Sequence, residues 1–472
     1  MDVNGKRVLV LGLGETGLSM ARWLAGRGAR VSVADSRESA PGLAELRAAR
    51  PDAQVHLGSW RDTSFAGIDL LAISPGISRA TPQVQRALAA GVDVVGDVEL
   101  FARTLRSPGA AKKARVLAIT GTNGKSTVTA LAGAMCRAAG LDAEVAGNIS
   151  PAVLDALAGR ESCGKAAAAW VLELSSFQLE STASLAPDAA TMLNLSEDHL
   201  DRHGSMADYA AAKARIFAGQ GVQVLNRHDP ASLAMARPGR SSITFGLDAP
   251  RRAEDYGVIA NAGAPWLAQG DQPLIAAGEL PIAGRHNAAN ALAALALCRA
   301  IDLPLAPLLS ALRDFRGLPH RVEFIAERGG VRFYDDSKGT NVGSTVAALS
   351  GLAGVAAPGR DAARVVLIAG GEGKGQDFSP LHDAVAQAAR AVVLIGRDAQ
   401  LIRAAVATAG VPVLVASSME EAVATAAREA HRGDAVLLSP ACASFDMFRN
   451  YTHRGEVFQS AVRAQSEGGG DA

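Results

Sequence analysis

The sequence predicts an α/β protein of three parallel-sheet domains in series. Three observations carry that expectation. Strand-like and helix-like patterns alternate through the first hundred residues and again beyond residue 317. Twice, a glycine turn joins an apolar strand pattern to a helix start, at Gly12-Leu-Gly-Glu-Thr-Gly17 and at Gly121-Thr-Asn-Gly-Lys125. A length of 472 residues allows about three domains.

In chain order, strand patterns fall at 7–11, 31–34, 70–73 and 92–95, with helical stretches at 16–25 and 82–90. This rhythm implies a parallel sheet. Gly12-Leu-Gly-Glu-Thr-Gly17 fits the Gly-x-Gly-x-x-Gly pattern between a strand and a helix, and Asp35 ends the next strand, where a dinucleotide fold places a ribose-binding acid. The reading is a Rossmann-like N-terminal domain over 1–107. Only one mononucleotide-sized half fits before the next motif, whereas an NAD domain needs two. A single nucleotide or a sugar nucleotide therefore suits the pocket better. Arg106-Ser-Pro-Gly-Ala-Ala-Lys-Lys113 reads as a linker.

The second segment, 108–316, opens on the apolar run Val116-Leu-Ala-Ile119. Gly121-Thr-Asn-Gly-Lys-Ser-Thr127 and a helical pattern follow. Strand, glycine turn and Gly-Lys-Ser at a helix start make a phosphate-binding loop: backbone N–H groups face the phosphates, the lysine adds a cation, and a hydroxyl reaches Mg²⁺. The full pattern has its first glycine at the position of Ile119, so this loop is shorter. The segment is a central P-loop mononucleotide-binding domain, with strands at 170–174 and 190–194, a less regular stretch with a hairpin over 250–278, and a helix at 287–300. The third segment, 317–472, begins at Gly317-Leu-Pro-His-Arg321 and reads as a C-terminal doubly wound α/β domain with strands at 365–369, 391–395, 411–415 and 435–438. Residues 467–472 read as a frayed tail.

Composition narrows the function. Lys+Arg and Asp+Glu are equal at 47 each, so the chain carries no electrostatic footprint for nucleic acid. Cys136, Cys163, Cys298 and Cys442 are scattered without a Cys-x-x-Cys pair, which argues against a disulfide framework or zinc site and fits a reducing cytoplasm. Glu15 and the glycines interrupt the only stretch that could pass for an export signal, and no apolar run is long enough to span a bilayer. A soluble, cytoplasmic protein is expected.

Further stretches are more specific than either glycine motif. They include Gly147-Asn-Ile149, Glu173-Leu-Ser-Ser-Phe-Gln-Leu-Glu180, Asn194-Leu-Ser-Glu-Asp-His-Leu-Asp201 and Tyr209-Ala-Ala-Ala-Lys213. Beyond them come Gly284-Arg-His-Asn-Ala-Ala-Asn290, Leu318-Pro-His-Arg-Val-Glu323, Asp335-Asp-Ser-Lys-Gly-Thr-Asn341, Gly370-Gly-Glu-Gly-Lys374 and Leu438-Ser-Pro-Ala-Cys-Ala-Ser444. In this order, over all of the chain but its tail, they resemble the Mur ligases of peptidoglycan synthesis, and within them the members that add D-glutamate.

The resemblance implies that ATP phosphorylates the carboxylate of UDP-N-acetylmuramoyl-L-alanine and that the amine of D-glutamate attacks the acyl phosphate. The physical logic agrees, since a carboxylate is a poor acylating agent at neutral pH, and carboxylate and triphosphate must be brought together against their repulsion. It implies that Gly121, Thr122, Asn123, Gly124, Lys125, Ser126 and Thr127 cradle the ATP phosphates. Asn287, Asn290, Arg321 and Asp336 would hold adenosine. Two Mg²⁺ ions would be held by Ser126, Glu173, His199 and Lys213, with Lys213 carrying a CO₂-derived carbamate. Lys338, Thr340, Lys374, Ser444 and Tyr451 correspond to the glutamate and acyl-phosphate contacts. Thr16, Asp35, Ser36 and Arg37 would hold the uridine end, and Asn148 the substrate from the second domain. The catalytic set is then Lys125, Glu173, His199, Lys213 and Lys338, in a monomer with small-molecule partners.

Taken alone, several of these residues read otherwise: Glu173 as a core-edge carboxylate, His199 as a surface histidine, Lys213 as a solvated helix lysine, Asn287 and Asn290 as polar helix positions. The role of Glu15 stays open. Two other classes compete. A guanine-nucleotide switch would use Gly124-Lys125-Ser126 with Asn226-Arg-His-Asp229, and an NAD-dependent oxidoreductase would use the first glycine motif. A folate polyglutamate ligase is the nearest alternative within the family.

Overall fold

A computed structural model describes residues 1–107, 114–282, 284–353 and 363–465. Most of the expected linker and the whole of the expected tail lie outside these residues. Three sheets are present. The first has five parallel strands in the order Gln54–Leu57, Arg30–Asp35, Arg7–Leu11, Leu70–Ile73, Asp93–Val95. The chain reverses its direction of winding at Arg7–Leu11, so the turn at 12–14 opens at a topological switch point, where open α/β sheets bind ligands. The exposed edge strand Gln54–Leu57 was not legible in the sequence, because its residues show no buried face.

The second sheet has nine strands. Arg115–Thr120, Ala143–Gly147, Ala169–Glu173, Ala189–Met192, Val222–Asn226 and Ser242–Phe245 are parallel. Tyr256–Asn261, Ala264–Gln269 and Gln272–Ala276 extend it as two antiparallel hairpins, one more than expected from the irregular stretch. Glu173 pairs in register with Ile119 and with Gly147, so three strand ends converge beside the phosphate loop. The third sheet has the order Glu323–Arg328, Val331–Asp335, Ala435–Leu438, Val365–Gly370, Ala389–Ile395, Val413–Val415, parallel except for the first pair.

The chain forms two compact units. One comprises Met1–Leu195, His199–Ala276 and Asn290–Leu312, and the other Ser196–Asp198, Ala277–Ala289 and Arg313–Ala472. The first unit contains the first two sheets, and they share one core. Phe101, on the helix Asp97–Leu105, meets Trp170 of the second sheet edge-on at a centroid distance of 4.8 Å. Polar bonds reinforce the join. The Asp97 carboxylate accepts from Gln178 Nε2 (3.0 Å), and Glu99 Oε2 accepts from the backbone N–H of Ala183 and Ser184 (2.7 and 2.8 Å). Arg202 donates to Glu180 Oε2 (2.6 Å) and to the Ile77 carbonyl (3.1 Å). Each group is desolvated, so pairing removes a cost of a few kcal/mol that it would otherwise carry. In the second unit, two apolar clusters cover the two faces of the third sheet, as a buried parallel sheet requires.

Candidate functional site

The first binding surface follows from the strand Arg7–Leu11. The helix Glu15–Gly26 starts from Gly14 without a side-chain cap, which leaves its first N–H groups directed outward. A Cβ on Gly17 would overlap the Gly12 carbonyl, so only glycine lets the helix approach the turn. Asp35 is 1% exposed, and both carboxylate oxygens are engaged. Oδ2 accepts from Leu13 N (2.7 Å) and Arg37 Nη2 (2.6 Å), and Oδ1 from Arg37 N (2.9 Å) and Nε (2.8 Å). The Arg37 guanidinium lowers the Asp35 pKa to about 2; burial opposes it and the two backbone N–H donors assist. Asp35 thus fixes the turn and Arg37 rather than presenting an open carboxylate.

A cavity of about 490 Å³ opens here, lined by Thr16, Asp35, Ser36, Arg37 and Asn148. The structure brings the four residues expected at the uridine end together with Asn148, the contact expected from the second domain. Glu15 also lines the cavity and accepts from Ser150 Oγ (2.8 Å), which answers its open role: it joins the first sheet's turn to the second sheet's loop. Gln178 lines the same cavity and was not singled out by the sequence.

The depressed Asp35 pKa has a testable consequence. Since the folded value lies below the ordinary 3.8, the carboxylate contributes stability that is present above about pH 4 and lost as pH falls through about 2. The contribution is on the order of 2 kcal/mol. Asp35→Asn is expected to be less stable than the parent by at least this amount at pH 7. Urea titrations should show the gap narrowing below about pH 4; a gap independent of pH would count against the assignment.

The phosphate loop links the strand Arg115–Thr120 to the helix Lys125–Ala138. Gly124 has φ +83°, and a Cβ there would lie 2.6 Å from Asn290 Oδ1, so both backbone conformation and space require glycine. Asn194 pins the loop: its Oδ1 accepts from Asn123 N (2.8 Å), its Nδ2 donates to Asn123 O (3.1 Å), and its carbonyl accepts from Thr122 N (2.9 Å). Lys125 Nζ donates to the carbonyls of Gly121 (3.0 Å) and Thr122 (2.8 Å). Ser126 and Thr127 are buried in the first helical turn.

Lys213 corrects its solvated reading. It is 1% exposed on the helix Met206–Ala214, and its Nζ donates to the same Gly121 carbonyl at 2.8 Å and lies 4.6 Å from the Tyr209 ring centre. Two lysines from distant segments therefore converge on one backbone oxygen. Glu173 ends its strand 2% exposed, with Oε1 accepting from Asn148 Nδ2 (2.7 Å). Its Oε2 is buried and has no hydrogen-bond partner among the described residues. A carboxylate oxygen so placed is costly unless a cation meets it, which fits a metal ligand and not a core-edge carboxylate. His199 adopts φ +55°, with its ring 4.8 Å from that of Phe177 and 6.3 Å from that of Tyr209. His203, unremarked in the sequence, meets Ser176 Oγ at 3.0 Å and Glu180 at 3.3 Å, and burial pushes its pKa down.

The guanine-type motif is otherwise engaged. Asn226 donates to the Leu193 carbonyl, Arg227 pairs with Asp248, and Asp229 caps the helix Pro230–Ala234. None of these side chains is presented for a base.

In the second unit, the expected residues gather at the carboxyl ends of Val331–Asp335, Ala435–Leu438 and Val365–Gly370, three adjacent strands. Burial pushes Asp336 up to about 7, against the Ser439 hydroxyl (2.7 Å) and the charge of Arg321. Lys338 Nζ lies 3.8 Å over the Tyr451 ring. Lys374 is exposed, with φ +52°, in the loop after Val365–Gly370. Thr340 shares the loop of Lys338, and Ser444 is buried after Ala435–Leu438. Asn287, also buried, belongs to this unit, whereas Asn290 belongs to the first.

His320, Glu323 and Asp335 cluster closely enough to suggest a metal. Their oxygens are used in bonding: His320 Nδ1 to Asp335 Oδ2 at 2.7 Å, and His320 N to Glu323 Oε2 at 2.9 Å. A Cβ on Gly455 would overlap the histidine ring, so the helix Tyr451–Ala464 packs directly against the cluster. It is an anchor for the loop that carries Arg321. The Asp335 contact raises the His320 pKa, against burial.

Comparison with known proteins matches this layout in order. Residues 6–96 match the model of the Mur ligase MurD-like N-terminal domain, 119–298 the Mur ligase middle domain, and 320–442 the Mur ligase glutamate ligase domain. The UDP-N-acetylmuramoylalanine–D-glutamate ligase of Nitrosospira multiformis is 57% identical over 466 residues, covering 98% of this chain and 96% of that protein. The protein of that name from Aromatoleum aromaticum is 56% identical, covering 98% of both. Among solved structures, the UDP-N-acetylmuramate-alanine ligase MurC of Thermotoga maritima aligns with a TM-score of 0.60 at 19% identity over 98% of this chain and all of that one. MurF of Acinetobacter baumannii aligns with a TM-score of 0.59 at 16% identity, over 98% and 91%. Those two likenesses are of fold. Family models over most of its length, and relatives matched nearly end to end, place the chain in the Mur ligase family.

Proposed function

We propose that the protein is an ATP-dependent ligase that joins D-glutamate to the carboxyl group of UDP-N-acetylmuramoyl-L-alanine through an acyl phosphate, acting in the cytoplasm. One observation carries the ligase chemistry: Lys125 and Lys213 meet at the Gly121 carbonyl, at the carboxyl edge of the sheet that holds the unpartnered Glu173 Oε2. The names of the Nitrosospira multiformis and Aromatoleum aromaticum relatives support the choice of substrates.

In this reading the loop 121–127 cradles the triphosphate with backbone N–H groups, and Lys125 offsets charge on the transferring phosphoryl group. Mg²⁺, when bound, offsets the repulsion between triphosphate and substrate carboxylate; Ser126, Glu173, His199 and a Lys213 carbamate would hold it. Asn148 holds Glu173 Oε1 and so aims the carboxylate. Thr16, Ser36 and Arg37 bind the uridine end, with Asp35 fixing Arg37. Asn287, Asn290, Arg321 and Asp336 hold adenosine. Lys338, Thr340, Lys374, Ser444 and Tyr451 receive glutamate, where paired lysines suit a substrate with two carboxylates. Domain boundaries are placed after residues 107 and 316. Among the described residues no helix is long and apolar enough to cross a membrane.

The test is phosphate release with ATP, Mg²⁺ and UDP-N-acetylmuramoyl-L-alanine, run separately with each enantiomer of glutamate. Release dependent on D-glutamate, with the amide product formed, is expected. Equal rates with both enantiomers, or none with either, would overturn the proposal.

A further inference from the structure

Arg454 is 1% exposed, one of the largest fully buried side chains among the described residues, and it belongs to none of the motifs read in the sequence. It lies one turn into the helix Tyr451–Ala464. Among the described residues its guanidinium makes no ion pair at hydrogen-bond distance. Instead, Nε donates to Ser337 Oγ (3.0 Å), Nη2 to the Ser337 carbonyl (2.8 Å), and Nη1 to the carbonyls of Cys442 (3.1 Å) and Ala443 (3.3 Å). Ser337 Oγ in turn donates to the Tyr451 carbonyl at 2.7 Å. The glycine loop is held in the same knot: Glu372 and Ala443 exchange backbone bonds of 3.0 and 2.9 Å, and a Cβ on Gly371 would overlap the Ala443 carbonyl.

A buried cation bonded only to neutral acceptors is expensive, and burial lowers the Arg454 pKa to about 10, against the charges of Asp446, Asp335 and Asp336, which act in the other direction. A fold that needed only packing here would be served by an apolar side chain. What a guanidinium alone supplies is a flat fork of donors with fixed angles, able to hold several carbonyls from different segments at once. The segments it holds are those bearing Lys338 and Thr340, Ser444, and Tyr451.

We infer that Arg454 is a positioning residue for the amino-acid acceptor: it fixes the spacing of the 336–340 and 439–444 loops and the start of the last helix, and thereby the geometry of the dicarboxylate subsite. The inference rests on the reading that these loops receive glutamate. Because the effect runs through loop spacing, it should appear in the apparent affinity for glutamate and spare the nucleotide-sugar, whose cavity lies in the other unit.

The experiment compares Arg454→Lys, Arg454→Gln and Ser337→Ala with a Lys374→Ala control, in steady-state assays that vary D-glutamate, ATP and UDP-N-acetylmuramoyl-L-alanine in turn. Arg454→Lys keeps the charge but loses the fork, and is expected to raise the KM for D-glutamate about 10-fold or more, with Arg454→Gln similar. Ser337→Ala, which removes the two hydroxyl bonds of the knot and is a small enough change to fold, should raise it about 2- to 5-fold. The KM for the nucleotide-sugar should stay within about 2-fold of the parent in every case. A glutamate KM unchanged in Ser337→Ala and in a folded Arg454→Lys overturns the inference, as does a loss confined to kcat. If Lys374→Ala also leaves the glutamate KM unchanged, the glutamate reading of these loops fails; if Lys374→Ala raises it while the other variants do not, only the role of Arg454 fails.

Discussion

Lys125→Ala is expected to lower turnover by on the order of 10²–10³-fold, with binding of UDP-N-acetylmuramoyl-L-alanine intact. The ammonium sits 3.0 and 2.8 Å from two carbonyls of the loop it serves, so it is held over the mouth of the loop. A cation held there acts chiefly where negative charge builds, which is why kcat should fall further than binding weakens. The cavity proposed for the nucleotide-sugar is lined by Thr16, Arg37 and Asn148 and does not include Lys125. Phosphate-release rates and calorimetric titration with the nucleotide-sugar measure the two effects separately. Near-normal turnover, or parallel loss of nucleotide-sugar binding, would remove Lys125 from the role proposed.

Lys213→Ala is expected to be almost inactive, and a short-chain carboxylic acid in the assay should restore part of the activity. The carbamate forms when a neutral amine adds to CO₂ and releases a proton, giving a carboxylate at the end of the side chain. A small acid can occupy the space left by truncation and supply the same oxygens. The structure makes that space a closed one, since Lys213 is 1% exposed and packed against Tyr209. An alternative role as a simple ammonium partner for Gly121 would not be rescued by an anion. Rescue by acetate but not by methylamine supports the carbamate; rescue by methylamine alone would refute it.

How far the sequence could be read depended on the range of the interaction. Both glycine loops were legible because their conformation is set locally, by glycines at fixed spacing between a strand and a helix. The parallel order of the principal strands followed from the same alternation. Lys213 was not legible from its residues. Three alanines and a lysine on a helix describe a solvated face, and its burial comes from packing against Tyr209 and the Gly121 carbonyl, 92 residues away in the chain. Asn194 and Gln178, though inside stretches that carry the resemblance, had no role of their own in the sequence for a related reason. Their amides act across separations of 71 and 81 residues, and nothing in a short window distinguishes an amide that pins a loop from one that faces water. Arg454 is the extreme case, because a lone arginine on a helix reads as surface until its four acceptors are seen.

The join between the first two sheets changes what cutting the chain would do. Residue 107 looks like a natural place to divide it, yet Asp97, Glu99 and Phe101 lie just before that point and are 1%, 3% and 0% exposed. Their partners, Gln178, the Ala183 and Ser184 amides, and Trp170, all lie beyond it. An isolated fragment ending at 107 would present Asp97, Glu99 (left with Arg103 as its partner) and an aromatic ring to water, and would leave the remainder with an open apolar face. The boundary that separates two sheets in the sequence is therefore not a boundary in cooperativity. The two sheets are one folding unit, and a denaturant titration should melt them in a single step.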